Sequence, residues 1–241
     1  MQMILRVKFT KEDYLKYISH LDLMRLFQRT FRRGYIPIRY SEGFNPQPKF
    51  SIANPLALGI ESVEEYMDID LYDKIPIEDF MERMNRELPE GIRIIEAKYI
   101  EDSKSVSALI SWSYYQIKFI AKDINSKEEL QKLLEDWLKK EEIIIKKVRR
   151  KGNKIRERDQ NIRGFIGNVI IEDFRVKADS PFKTTIAINC LLKAGDNGNL
   201  KPTDFLEAME KHISIGIDFD TVDIKRLQLL AEDKGRIVSP M

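Results

Sequence analysis

Apolar and basic positions alternate over residues 3–9, with Ile4, Leu5, Val7 and Phe9 set against Arg6 and Lys8, the pattern of a half-exposed strand. A helix start follows. Ser19 can cap it, and Asp22 three residues on completes an S-x-x-D capping pattern with the acid at the positive end of the helix dipole. At about 100° per residue, Leu23, Leu26, Phe27, Thr30 and Phe31 share one face of this helix. Arg25, Arg29, Arg32 and Arg33 fall on the other, and Gly34 is placed as the C′ residue that ends it. Extended segments are expected over 36–40 and 49–53. Between them Asn45-Pro46-Gln47-Pro48 should form a stiff loop, because proline fixes φ and cannot donate to a sheet. The run 65–72, EYMDIDLY, alternates strongly and predicts a strand; 77–88 has helical spacing, and 92–100 closes this half as a strand.

The polar, Ser-rich stretch 101–111 reads as a boundary, and beyond it the same order recurs. A strand is predicted over 112–121, a helix capped by Ser126 to about residue 140, and a β-branched strand over 143–148. Strand 184–194, a helix over 201–212 opened by Pro202, and a long strand over 217–230 follow. No pattern assigns 149–182 to an element. The expected fold class is α+β, with two tandem ferredoxin-like (βαββαβ) domains at 1–100 and 112–241.

Charge narrows the picture only through its placement. Forty-one Lys and Arg against 39 Asp and Glu leave a net charge of +2, so the whole molecule is no obvious polyanion binder. Residues 146–163, however, hold nine basic residues against Glu157 and Asp159, enough to neutralise several phosphates; a solvated hairpin is the alternative. The 43% hydrophobic and 33% charged fractions fit a globular chain, and no apolar run is long enough for a membrane span. Without a leader-like pattern at the N-terminus, the expected location is cytoplasmic. Cys190 is the single cysteine and lies in an apolar run, and with His20 and His212 it makes no metal-ligand spacing. No cofactor and no metal are expected in this chain.

The candidate binding residues are Arg25, Arg29, Arg32 and Arg33 on the helix, and Ser41, Phe44, Asn45 and Lys49 in and beside the loop. Arg149, Arg150, Lys151 and Lys154 join them from the basic turn. His20 is the one candidate catalytic residue, as a base that would activate a 2′-hydroxyl; a structural hydrogen bond is the plainer role for it. Asp68 and Asp70 share one strand face, where exposed polarity is the expected explanation and a paired-carboxylate metal site the alternative. Trp112, Tyr114 and Tyr115 suit a core strand or a stacking platform. The glycine pairs at 164–167 and 195–198 match no phosphate-binding loop.

The stretch KYISHLDLMRLFQRTFRR, the following IPIRYSEGFNPQPKFSIANPLALG and the strand EEYMDIDL together resemble the bacterial radical-SAM-linked family of unknown function. The two motifs that carry the resemblance are S-H-L-D-L-M-R at 19–25 and Y-S-x-G-F-N-P-x-P at 40–48. In the second half the chain departs from the family pattern beside Asp159, so no role is carried onto Gln160 or Asn161. The resemblance implies association with a radical SAM enzyme, and the cysteine-held cluster would belong to that partner. The expected function is a binding module that presents RNA or another anionic substrate to it. An RNA-processing or RNA-modifying enzyme using His20, and a protein-only docking adaptor using Phe44, are the alternatives.

Overall fold

The structure is a computed structural model. It describes residues 3–101, 104–151, 154–176 and 183–241, with the side chains of 148–156 outside that description. In chain order the elements are β1 (Met3–Lys11), a 3-10 turn (Asp13–Tyr17), α1 (His20–Arg33), β2 (Phe50–Ile52), β3 (Glu61–Leu71), α2 (Ile77–Glu87), β4 (Ile94–Ile100) and α3 (Val106–Leu109). There follow β5 (Ile110–Ala121), α4 (Lys127–Leu138), β6 (Ile144–Lys151), β7 (Lys154–Asn161) and β8 (Ile166–Val176). The chain ends with β9 (Thr184–Lys193), α5 (Pro202–Ile213), β10 (Ile217–Asp233) and β11 (Arg236–Val238). It is a mixed α+β chain whose strands pair mostly antiparallel.

Two compact units are present, Met1–Ser113 with Lys225–Met241, and Tyr114–Ile224. The sequence-based partition assigned everything after the 101–111 boundary to a second domain; by its contacts, Lys225–Met241 belongs with the first unit. In that unit β1 lies between β3 and β4, antiparallel to both; β2 runs antiparallel on β3, and the last part of β10 pairs with β3 in parallel, Lys225 beside Glu61.

The apolar face of α1 packs Leu23, Phe27 and Phe31 against this sheet. Phe27 meets Phe9 edge-on at 5.0 Å, and Phe50 seats against Phe31 at 5.1 Å, which fastens β2 to the helix. Burying each ring contributes roughly 1.5–3 kcal/mol. The helix ends one residue later than its glycine suggested. Gly34 is right-handed, and the left-handed C′ residue is Tyr35 (φ 51°). Tyr35 N–H donates to Arg32 O and Ile36 N–H to Phe31 O, the bond pair of a Schellman motif. Glycine at 34 gives clearance instead: a Cβ there would stand 3.2 Å from Thr30 O, a tight approach, and at ordinary contact, 3.5 Å, from Arg83 O of α2.

Alternation along β3 predicted exposed acids, and here the structure corrects it: Asp68 and Asp70 are buried. Arg6 grips Asp68 through Nε at 2.8 Å and Nη2 at 3.1 Å, and its remaining donors reach Lys104 O and Pro240 O. Val106 N–H donates to the same carboxylate at 2.6 Å. Arg39 stands 3.3 Å from Asp70. A face that looks polar in sequence is covered by residues distant in the chain, and the charges are compensated in pairs.

In the second unit the strand order is β10, β5, β9, β8. The segment 143–148 was expected to be a strand of the second domain's sheet. It enters β6, which pairs with β7 in a two-stranded sheet of its own; the strand beside β9 is β8, from the stretch left unassigned. A β-branched run signals a strand but carries no mark of its partner. Cys190 is fully buried, and burial pushes its thiol up, as for an inert core cysteine. Tyr115 joins the core as well, while Trp112 is half-buried and donates to Glu232 at 3.1 Å.

Candidate functional site

The N-terminus of α1 is built as its sequence indicates. Ser19 Oγ accepts from Asp22 N–H at 3.1 Å and donates to Asp22 Oδ2 at 2.6 Å. The Ser19 hydroxyl holds the Asp22 carboxyl below the usual carboxylate range, helped by Arg25, whose Nη1 lies 3.2 Å from Oδ1. His20 is exposed, and its side chain makes no hydrogen bond among the described residues. With Asp22 engaged by Ser19 and Arg25, no neighbouring carboxylate orients the ring as a base.

The four arginines do not form one row. Arg33 turns toward α2, where it donates to Glu87 Oε2 at 3.1 Å and to the Glu87 carbonyl at 2.7 Å. Arg25, Arg29 and Arg32 remain as a stripe at i, i+4 and i+7, about 5–6 Å from turn to turn. All three are exposed, and the guanidinium groups of Arg29 and Arg32 have no partner among the described residues. Phe50, packed on Phe31, sets the stem of the 41–48 loop beside this helix.

The loop is held closed at its base. Ser41 N–H donates to Gln47 O at 2.8 Å, Ser41 Oγ accepts from Gln47 N–H at 2.9 Å, and Tyr40 bridges Pro48. Ser41, expected as a contact residue, therefore spends its hydroxyl on loop closure. Phe44 stands fully exposed beyond the closure beside exposed Asn45, next to a Gly43 whose φ of +120° suits a residue without Cβ. Lys49 fixes its backbone to Arg39 and Asp70 and leaves its side chain exposed. Two exposed rings near these residues escaped the sequence analysis, Tyr35 at the helix end and Tyr40 at the loop base. The only local signal for Tyr35 was its place directly after a helix-ending glycine.

The basic turn lies in the second unit. Backbone pairing of β6 with β7 sets Arg150 opposite Ile155 and Lys151 opposite Lys154, but the side chains of Arg149, Arg150, Lys151 and Lys154 lie outside the described residues. The stem is pinned by Asn161, whose Oδ1 accepts from Ile143 N–H at 3.1 Å and Arg163 N–H at 3.0 Å. Arg163 serves the fold, donating to Leu138 O at the end of α4 and to Ile166 O. A groove of about 430 Å³ runs between β6 and α5, with Ile144 and Ala208 in its lining and Lys146, Lys201 and Lys211 along it. Lys147 crosses toward Asp204 at 3.6 Å.

Among the described residues no cluster of three or more His, Cys, Asp or Glu could hold a metal ion, and no helix is long and apolar enough to cross a membrane. Residues 5–202 match the family described as "Uncharacterized protein conserved in bacteria (DUF2344)". The chain belongs to this family. No curated protein matches it. Among solved structures, this DUF2344 chain is similar to a chain in the "Crystal Structure of a Cbf5-Nop10-Gar1 Complex", with a TM-score of 0.50 at 9% identity. That match covers 93% of this chain and 48% of the other, so the protein spans about half the length of the chain it matches, and the likeness concerns fold alone. A chain in the "Cryo-EM structure of the encapsulated DyP-type peroxidase from Mycobacterium smegmatis" is 8% identical over 92% of this chain and 89% of that one, with a TM-score of 0.20 that carries no argument.

Proposed function

We propose that this DUF2344 protein is a cytoplasmic binding module that holds RNA, or another anionic substrate, for a radical SAM enzyme. The observation that carries the anion-binding half is the stripe of Arg25, Arg29 and Arg32, in which two guanidinium groups are exposed and unpartnered. Arginines kept out of ion pairs at helical spacing suit a chain of phosphates. The radical SAM half rests on the sequence resemblance at 19–25 and 40–48. The ferredoxin-like reading of each unit is supported by strand order: β4-β1-β3 with β2 on β3 in one, and β10-β5-β9-β8 in the other, with the β6–β7 hairpin as an insertion.

The test is binding to total bacterial RNA across a salt series, with Arg29→Ala/Arg32→Ala alongside. Affinity that falls steeply with salt, and a slope shallower by about 1.4 in the variant, is the expected result. No binding at low salt refutes the RNA reading. A second reading, a protein-only docking adaptor, is favoured by fully exposed Phe44 on its closed loop. It predicts that Phe44→Ala weakens capture of the radical SAM enzyme while the arginine variant does not.

A further inference from the structure

Three aromatic rings lie exposed within ten residues of one another in the first unit, at Tyr35, Tyr40 and Phe44. Each is presented by a different backbone device. Tyr35 is 83% exposed and sits in the left-handed C′ position of a Schellman motif, where glycine is the favoured residue. A bulky L residue is strained in that region, and so exposed a ring buries little that would compensate. Tyr40 is held by its bridge to Pro48 at the loop base, and Phe44 is carried outward by a loop that closes on itself below it. None of these rings belongs to the core between α1 and the sheet. Phe27, Phe31 and Phe50 already fill the space between helix and sheet.

The rings follow the C-terminal end of the helix that carries the arginine stripe. Tyr35 N–H donates to Arg32 O just past the last turn of α1, and the Phe50–Phe31 contact, on the buried face of the helix, ties the loop stem to that same end. Exposed Lys49 adds positive charge at the foot of that loop. A row of cations on a helix followed by exposed rings suits a strand whose phosphates are neutralised while its bases are free to stack. A duplex offers the same phosphates but keeps its bases stacked on each other.

We infer that the site takes single-stranded RNA, with unpaired bases stacked on Tyr35, Tyr40 and Phe44 and phosphates along Arg25, Arg29 and Arg32. The inference rests on the RNA reading above and narrows its substrate to unpaired strands. Glycine at position 35 keeps the left-handed backbone, so Tyr35→Gly removes the ring without straining the fold, and Phe44→Ala removes a side chain that touches solvent only.

The experiment measures binding of the full chain, by fluorescence anisotropy at low salt, to a labelled single-stranded oligoribonucleotide and to its duplex with the complementary strand. Single-strand affinity at least about ten-fold above the duplex is expected, with a loss of about ten-fold or more on the single strand alone in Tyr35→Gly/Phe44→Ala. The salt slope of that variant should match the wild type, because no charge has been removed. Equal affinity for the two forms, or an unaffected aromatic variant, overturns this inference and leaves RNA held by its phosphates. Absence of binding to both forms overturns the RNA reading itself, and this inference with it.

Discussion

Arg226 of β10 forks onto Glu65 of β3, through Nε at 2.8 Å and Nη2 at 2.6 Å, with both side chains shielded from solvent. Nη2 also reaches Asn54 O at 3.0 Å. Burial pushes the Glu65 carboxyl up, and the charges of Arg226 and Lys11 oppose that push. The pair is therefore a site where removing one partner hurts more than removing both. Arg226→Ala should lower stability by about 3–5 kcal/mol in urea unfolding, because it strands a buried carboxylate. Arg226→Met with Glu65→Leu should recover much of the loss. A double variant as unstable as the single one would show that the pair is not the determinant.

The cap of α1 should respond to acid with a definite sign. Asp22 has a folded-state pKa below its unfolded value, so its contribution is present above the ordinary carboxylate range and lost as pH falls through the folded value. Stability, followed by circular dichroism across an acid titration, should fall less steeply in Asp22→Asn than in the wild type. An identical acid limb in the two proteins would contradict the cap geometry.

Gly91 is a position where any side chain collides with backbone. Its φ is +90°, a Cβ would lie 2.7 Å from Glu12 O, and its carbonyl accepts from Glu12 N–H at 2.8 Å. Gly91→Ala should cost on the order of 1–3 kcal/mol in denaturant unfolding. Gly164→Ala, where a Cβ meets nothing within 4 Å and φ is unexceptional, is the matched control and should be near neutral.

Arg33 and Arg29 should separate stability from binding. Arg33→Ala removes the contacts to Glu87 and should lower stability by no more than about 1 kcal/mol while leaving the salt slope of RNA binding unchanged. Arg29→Ala should leave thermal unfolding unmoved and make the slope shallower by about 0.7. A slope that moves with Arg33 would place the anion on the α2 side of the helix.

The locally encoded features were legible. Ser19 with Asp22, Ser126 with its bond from Glu129 N–H, and Pro202 opening α5 all act within a few residues, and each element begins where its cap lies. What escaped depends on partners far along the chain. Asp68 lies on an alternating strand, yet Arg6, Val106 and the tail at Pro240 cover its face, and nothing near Asp68 announces them. The run that opens β6 has the composition of a core strand but turns back on β7, because pairing choice is settled by tertiary contacts. At the site, the arginine stripe followed from helical period, while the departure of Arg33 depended on Glu87, 54 positions away.

The first unit takes its closing residues from the end of the chain, Lys225–Met241. At the ribosome this reverses the order suggested by position. Tyr114–Ile224 is already synthesised before Glu65 gains Arg226 and Arg6 gains the carbonyl of Pro240. The domain that begins first is the last to be completed, and a nascent chain stopped short of residue 226 carries an acid destined for burial with no cation to meet it.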